Sequence, residues 1–301
     1  MDRKTFLTSG GAVVGLAAMG SRPAVRRAHA AEAGEMDPAT LGKTDLKIAL
    51  QPQMFGGKDF LKQLEQVAYY GYPAFERLST GGIDIDATRK KMDELGLVWT
   101  CISGAGRIAP GNMSNEEEHP EQEQRFRKAV AAAKRLNIKR ILALTGNKRD
   151  DITQDQQTAI VVKGLKRLAP IAEKEGLTIV LEMLNVLVDH AGYFLVYTPH
   201  GVEIIRGVNS PNVKLLYDIY HQQISEGNLI NNITKNIQHI AHFHIGDNPG
   251  RKQPGTGEIN YKNVFKAIHE TGYDDFLSME CGYTEPPLEV MKVMHELTTF
   301  G

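Results

Sequence analysis

Thr178-Ile179-Val180-Leu181-Glu182-Met183-Leu184-Asn185 and Val213-Lys214-Leu215-Leu216-Tyr217-Asp218-Ile219-Tyr220-His221 share one pattern, a short apolar β-rich run that ends on a carboxylate. His242-Phe243-His244-Ile245-Gly246-Asp247 and Phe276-Leu277-Ser278-Met279-Glu280 repeat it with an imidazole and a further carboxylate. Runs of this length and composition read as buried strands. The same signal recurs at Leu46 to Leu50, Ala74 to Leu78, Val98 to Ser103 and Arg140 to Leu144. Between the runs lie segments of helical periodicity. Glu121 to Leu136 places Phe126, Val130, Ala133 and Leu136 on one face, and Asp155 to Lys174 does the same with Ile160, Val161, Leu165, Leu168 and Ile171. Strands alternating with helices imply a parallel sheet joined by crossovers, and eight strands are the number that closes a barrel. The predicted fold is α/β, a (β/α)8 TIM barrel forming a single domain over residues 45–301. A doubly wound open sheet is the alternative, but the turn after Leu50, Gln51-Pro52-Gln53-Met54, lacks the glycine fingerprint such a fold uses for dinucleotides.

The amino-terminal residues read differently. A charged start containing Arg3-Lys4 leads into a weakly apolar stretch from Ser9 to Gly20, then into Arg22, Arg26 and Arg27, and ends on Ala28-His29-Ala30, a small-x-small cleavage pattern. The apolar part is shorter than the ~20 residues a membrane span requires. Residues 1–30 are therefore expected to be an export signal of twin-arginine-like character, residues 31–44 a polar linker, and the mature protein periplasmic.

The whole chain of 301 residues carries a net charge of −1, and without residues 1–30 it would hold 30 basic and 35 acidic residues. That balance lacks the clustered positive face that phosphate backbones need, so nucleic acid is not expected as a partner; nothing in it opposes a homo-oligomer. The cysteines Cys101 and Cys281 are too few for a disulfide scaffold and sit in no C-x-x-C pattern.

In a barrel of this kind the site forms at the carboxyl ends of the strands, where Glu182, Asp218, His244 and Glu280 stand. An ionised carboxylate among Leu, Val and Met costs several kcal/mol unless paired or bound to a cation. Three of them with an imidazole, on consecutive strands, point to one shared divalent ion, and the donor set suits Mn2+, Mg2+, Co2+ or Zn2+. His242 is expected on the same strand face as His244, where it would line the substrate side, orient a ligand, or serve as a hydrogen-bonded structural histidine. Glu76, Arg77 and Arg107 receive no role from the sequence and read as solvated loop charges.

Asp247-Asn248-Pro249-Gly250-Arg251-Lys252-Gln253-Pro254-Gly255-Thr256-Gly257-Glu258-Ile259-Asn260-Tyr261 resembles the loop after the seventh barrel strand of hydroxypyruvate isomerases. With Leu181-Glu182, the Asp218-x-x-His221 pair, His242-x-His244 and Met279-Glu280, the likeness spans nearly all of residues 45–298. The resemblance implies a xylose-isomerase-like barrel, with Glu182, Asp218, His244 and Glu280 as metal ligands and Glu182 and Glu280 as the proton-transfer pair. It also implies that His221 and Arg251 contact a small hydroxy-carbonyl or sugar substrate, beside which strand parity sets His242 as a further candidate contact. The expected activity is metal-dependent isomerisation of hydroxypyruvate to tartronate semialdehyde through an enediolate. A ketose 3-epimerase uses the same ligand positions and is the alternative. A zinc endonuclease of the same barrel would need further ligands and a basic face, and a sugar-binding or lyase-type protein would differ in its dependence on metal.

Overall fold

The computed structural model describes residues 37–108 and 113–300. The expected export segment, residues 1–30, and the first part of the expected linker lie outside the described residues. The remainder of that linker packs on the barrel. Asp37 accepts from the Ala39 N–H and turns the chain into a single 3-10 turn at Pro38–Thr40, after which Leu41 is fully buried and the Gly42 N–H donates to the Tyr70 carbonyl at 3.0 Å. One apolar side chain and one backbone hydrogen bond thus anchor a stretch whose composition reads as a linker.

Parallel strands and helices then alternate to the end. The strands are β1 (Lys47–Leu50), β2 (Ala74–Phe75), β3 (Val98–Trp99), β4 (Cys101–Ala105), β5 (Arg140–Ala143), β6 (Thr178–Glu182), β7 (Val213–Asp218), β8 (Ile240–Ile245) and β9 (Phe276–Met279). The helices are α1 (Phe60–Tyr69), α2 (Ile85–Leu95), α3 (His119–Leu136), α4 (Gln154–Glu175), α5 (Thr198–Val208), α6 (Ile219–Ser225), α7 (Leu229–Asn236), α8 (Tyr261–Glu270) and α9 (Pro287–Thr298). Strand order in the sheet is β3-β2-β1-β9-β8-β7-β6-β5-β4. β3 and β4 are two halves of one run, parted only by Thr100. The first half pairs with β2 and the second with β5, so the two ends of the sheet meet there and the barrel nearly closes. The eight runs read from the sequence therefore become nine strands because one run changes partners midway.

The helices bury the faces their periodicity predicts. Phe126, Val130, Ala133 and Leu136 of α3, and Val161, Leu165 and Leu168 of α4, lie in the layer between sheet and helices, whereas Ile160 and Ile171 remain partly exposed. A Thr153–Gln156 capping box starts α4, and Gly176 in the left-handed region ends it.

Alternation along the strands fills the lumen. Cys101, Leu142, Val180 and Leu216 form a small apolar cluster of their own, while Ile179, Leu181 and Leu215 face the helices. Side chains two residues apart share a face, which puts Glu182 and Asp218 directly above Val180 and Leu216. Register carries the polar set onward: His242 lies opposite Leu216, His244 opposite Asp218, and Ser278 opposite His244. One side of the lumen is thus apolar and the other polar.

Candidate active site

The four residues singled out at strand ends converge. Ligand atoms of Glu182, Asp218, His244 and Glu280 all lie within 4.8 Å of one another. His244 Nδ1 is 2.7 Å from Glu280 Oε2 and 3.3 Å from Glu182 Oε1. Asp218 divides its two oxygens between fold and site. Oδ1 accepts from the Tyr220 and His221 N–H groups at 2.8 and 3.1 Å, capping α6 where it leaves β7, and Oδ2 faces the cluster, 3.0 Å from Arg251 Nη2.

Burial pushes the Glu182 carboxyl up to about 7; the nearby Glu280 and Asp218 charges add to this, and its hydrogen bond with His244 opposes it. Burial also works against charge on His244, but Glu280, Glu76 and the hydrogen bonds with Glu182 and Glu280 outweigh it, and the imidazole holds its proton well above its usual range. For Asp218 burial is outweighed by His221, Arg251 and His244, which keep the carboxyl below its ordinary value. Three carboxylates and an imidazole nitrogen so close together, with one of the carboxylates half-protonated near neutrality, fit a divalent cation in place of the His244 proton.

Arg251 reaches the site from the loop after β8. Asp247 builds that loop: its fully buried carboxylate accepts from the backbone N–H groups of Asn248, Gly255, Thr256, Gly257 and Ile259 at 2.8 to 3.2 Å. Gly257 is required there, since a Cβ would come within 2.1 Å of the Asn248 carbonyl oxygen. Held this way, Arg251 places Nη2 2.8 Å from Glu280 Oε2, with its guanidinium 5.2 Å from the centre of the Tyr220 ring.

A cavity of about 180 Å³ opens onto the cluster, lined among others by Leu144, Glu182, His190, His221, Arg251 and Glu280. Two buried nitrogens there, Arg251 Nε and His221 Nε2, have no hydrogen-bond partner among the described residues. A larger groove of about 630 Å³, between β4 and α3, holds Arg107, Arg125 and Lys128 but none of the converging carboxylates.

His242, placed by the sequence among substrate contacts, is not among the residues lining this cavity. It is fully buried one layer deeper, its Nε2 2.7 Å from Glu76 Oε2. Glu76 is the residue that sequence reasoning missed. It is 1 % exposed, so the reading of a solvated loop charge does not hold. Its Oε2 also accepts from Thr100 Oγ1 at 2.6 Å, and its Oε1 sits 2.8 Å from His244 Nε2, too bent for a hydrogen bond but at ion-pair distance. Burial opposes ionisation of Glu76, yet the charge of His244 and the hydrogen bond with His242 hold it well below the usual carboxylate range. A carboxylate behind the far nitrogen of His244 would fix the ring's orientation for holding an ion. Arg77 turns away to donate to the Gly81 carbonyl at 2.7 Å, and Arg107 is exposed. Cys101 is buried and Cys281 partly so, both free thiols.

Barrel, strand-end carboxylates and loop together define the class, and comparison with known proteins agrees: residues 64–297 match the xylose isomerase-like TIM barrel family. Within it, the chain belongs to the hydroxypyruvate isomerase family, being 34 % identical over 232 residues to the hydroxypyruvate isomerase of Escherichia coli, a match covering 75 % of this chain and 89 % of that relative. The 2-oxo-tetronate isomerase of Cupriavidus necator is 28 % identical over 75 % of this chain and 88 % of its own length. Among solved structures, an AP endonuclease of family 2 from Brucella melitensis superposes with a TM-score of 0.74 at 23 % identity, covering 83 % of this chain and 98 % of that one, a likeness of fold. The protein is thus of the isomerase and epimerase class. No helix among the described residues is long and apolar enough to cross a membrane.

Proposed function

We propose that this protein is a divalent-metal-dependent isomerase converting hydroxypyruvate to tartronate semialdehyde. The observation that carries the reading is the convergence of Glu182, Asp218, His244 and Glu280 beneath a cavity that also holds Arg251. A divalent ion held by those four side chains would supply the positive charge that makes a proton beside a carbonyl removable and stabilises the enediolate charge.

The remaining work falls to the chain's own groups. Glu182 and Glu280, at opposite strands of the cluster, are the two carboxylates placed to take and return the proton. The unpartnered Nε–H of Arg251 is available to the substrate carboxylate, and the planar guanidinium suits two-point contact. Leu142, Leu144 and Leu184 limit water around the reacting carbons. A cavity of about 180 Å³ is small beside the ~300 to 1,000 Å³ of pockets for drug-sized ligands, in keeping with a small hydroxy-carbonyl substrate.

A four-carbon 2-oxo acid is the second reading, supported by the 2-oxo-tetronate isomerase relative. Turnover of hydroxypyruvate, a four-carbon 2-oxo acid and neutral ketoses by the Mn2+-loaded enzyme tests the proposal. Preference for either acid supports the carboxylate reading; turnover of neutral ketoses alone replaces it with the epimerase reading.

A further inference from the structure

The loop that follows β6 carries a device for setting the protonation pattern of His221. Asn185 is fully buried at its start. Its Oδ1 accepts from the Val188 and Asp189 N–H groups at 3.0 and 3.2 Å, so the amide cannot be turned over without opposing donor to donor. The amide nitrogen, fixed by that choice, lies 2.8 Å from Asp189 Oδ2 and 2.7 Å from His221 Nδ1. The backbone N–H of Asn185 points to the same ring nitrogen at 3.3 Å. Both groups can only donate, so Nδ1 of His221 must accept. The ring therefore carries its proton on Nε2, a buried nitrogen of a cavity-lining residue that makes no hydrogen bond among the described residues and lies 3.6 Å from Asp218 Oδ2.

We infer that Asn185 is a positioning residue that locks His221 as a neutral Nε2–H donor aimed at a substrate oxygen. The assignment rests on the reading above only in placing the substrate in this cavity. Two consequences follow for the chemistry. His221 has no free lone pair with which to act as a base, which leaves proton removal to the glutamates. The substrate group it meets must be an acceptor, a carbonyl oxygen or the alkoxide that develops from it, and not a hydroxyl offering its proton. A donor aimed where negative charge grows acts chiefly in the transition state.

The test is long-range 1H–15N correlation of the histidine rings in the uniformly labelled, substrate-free protein, with His221 assigned by its disappearance in His221→Gln. The expected pattern is an unprotonated Nδ1 and a protonated Nε2; a protonated Nδ1 overturns the inference whatever reaction the enzyme catalyses. The second arm is Asn185→Asp combined with Asp189→Asn, with Asp189→Asn alone as control. The new carboxylate keeps the Val188 and Asp189 N–H groups satisfied but demands a proton on Nδ1. The double variant is expected to show that proton in the same spectrum, to keep its metal content, and to lose kcat by roughly 10²-fold with KM little changed. Unchanged kcat with the proton moved to Nδ1 also overturns it.

Discussion

Arg251 Nη2 lies 2.8 Å from Glu280 Oε2, so the loop after β8 sets its positive charge directly on one of the two carboxylates assigned to proton transfer. The same nitrogen is 3.0 Å from Asp218 Oδ2. On the proposed function the arginine would have two effects that oppose each other, supplying a cation for a substrate carboxylate and competing with a metal for Asp218 and Glu280. Arg251→Ala is expected to bind Mn2+ at least as tightly as the parent, while kcat/KM for hydroxypyruvate falls by roughly 10²-fold, the loss of a charge-assisted pair. Calorimetric titration with Mn2+ and steady-state kinetics read the two effects separately. Weaker metal binding would show that Arg251 supports the ligand cluster instead of competing with it.

Asp218→Ala removes the proposed ligand oxygen and the α6 cap together. Elemental analysis is expected to find metal lost, and the melting temperature to fall in keeping with a cap worth about 1 kcal/mol. Full metal content in a folded Asp218→Ala protein would remove Asp218 from the site.

Glu76→Gln tests the layer beneath. The amide keeps the shape but cannot match both histidines as a carboxylate does, and metal affinity is expected to fall roughly 10- to 100-fold. Equilibrium dialysis with Mn2+ measures it; affinity equal to that of the parent would make the network structural only.

Metal binding is expected to release protons. In the metal-free protein His244 holds its proton well above its usual range, and Glu182 titrates at about 7. Because the folded pKa of Glu182 is raised, its contribution to stability is present at low pH and fades as pH rises from the ordinary carboxylate range through about 7. A cation needs the deprotonated forms, so apparent affinity rises with pH across that interval. Calorimetry in buffers of different ionisation enthalpy at pH 6 is expected to report more than one proton released per ion. Proton release near zero would place the metal elsewhere.

What the sequence disclosed and what it hid follow from how local each signal is. Glu182, Asp218, His244 and Glu280 were legible because each interrupts or ends an apolar run, and strand parity alone puts them on the lumen side. Glu76 follows a strand of only two residues, and its partners His242 and His244 are far along the chain, so nothing local marks it as buried. His242 was placed on the correct face, but parity gives no layer and so left its lining, orienting and structural roles open. Asn185 sits in a loop whose hydrogen bonds depend on the turn at Val188 and Asp189. The division of one run into β3 and β4 depends on a change of pairing partner at Thr100, which composition does not record.

If Glu182 and Glu280 move a proton between adjacent carbons of hydroxypyruvate, the path of that hydrogen is read by isotope uptake from solvent. The Mn2+-loaded enzyme is given hydroxypyruvate in D2O and the tartronate semialdehyde is analysed by mass and NMR spectroscopy. A proton carried on a glutamate exchanges with solvent, so deuterium is expected at C2 of the product, with Glu182→Gln and Glu280→Gln each lowering the rate by ~10² to 10⁴-fold. Product formed at full rate without deuterium would mean a direct hydride shift, and would contradict the assignment of the two glutamates.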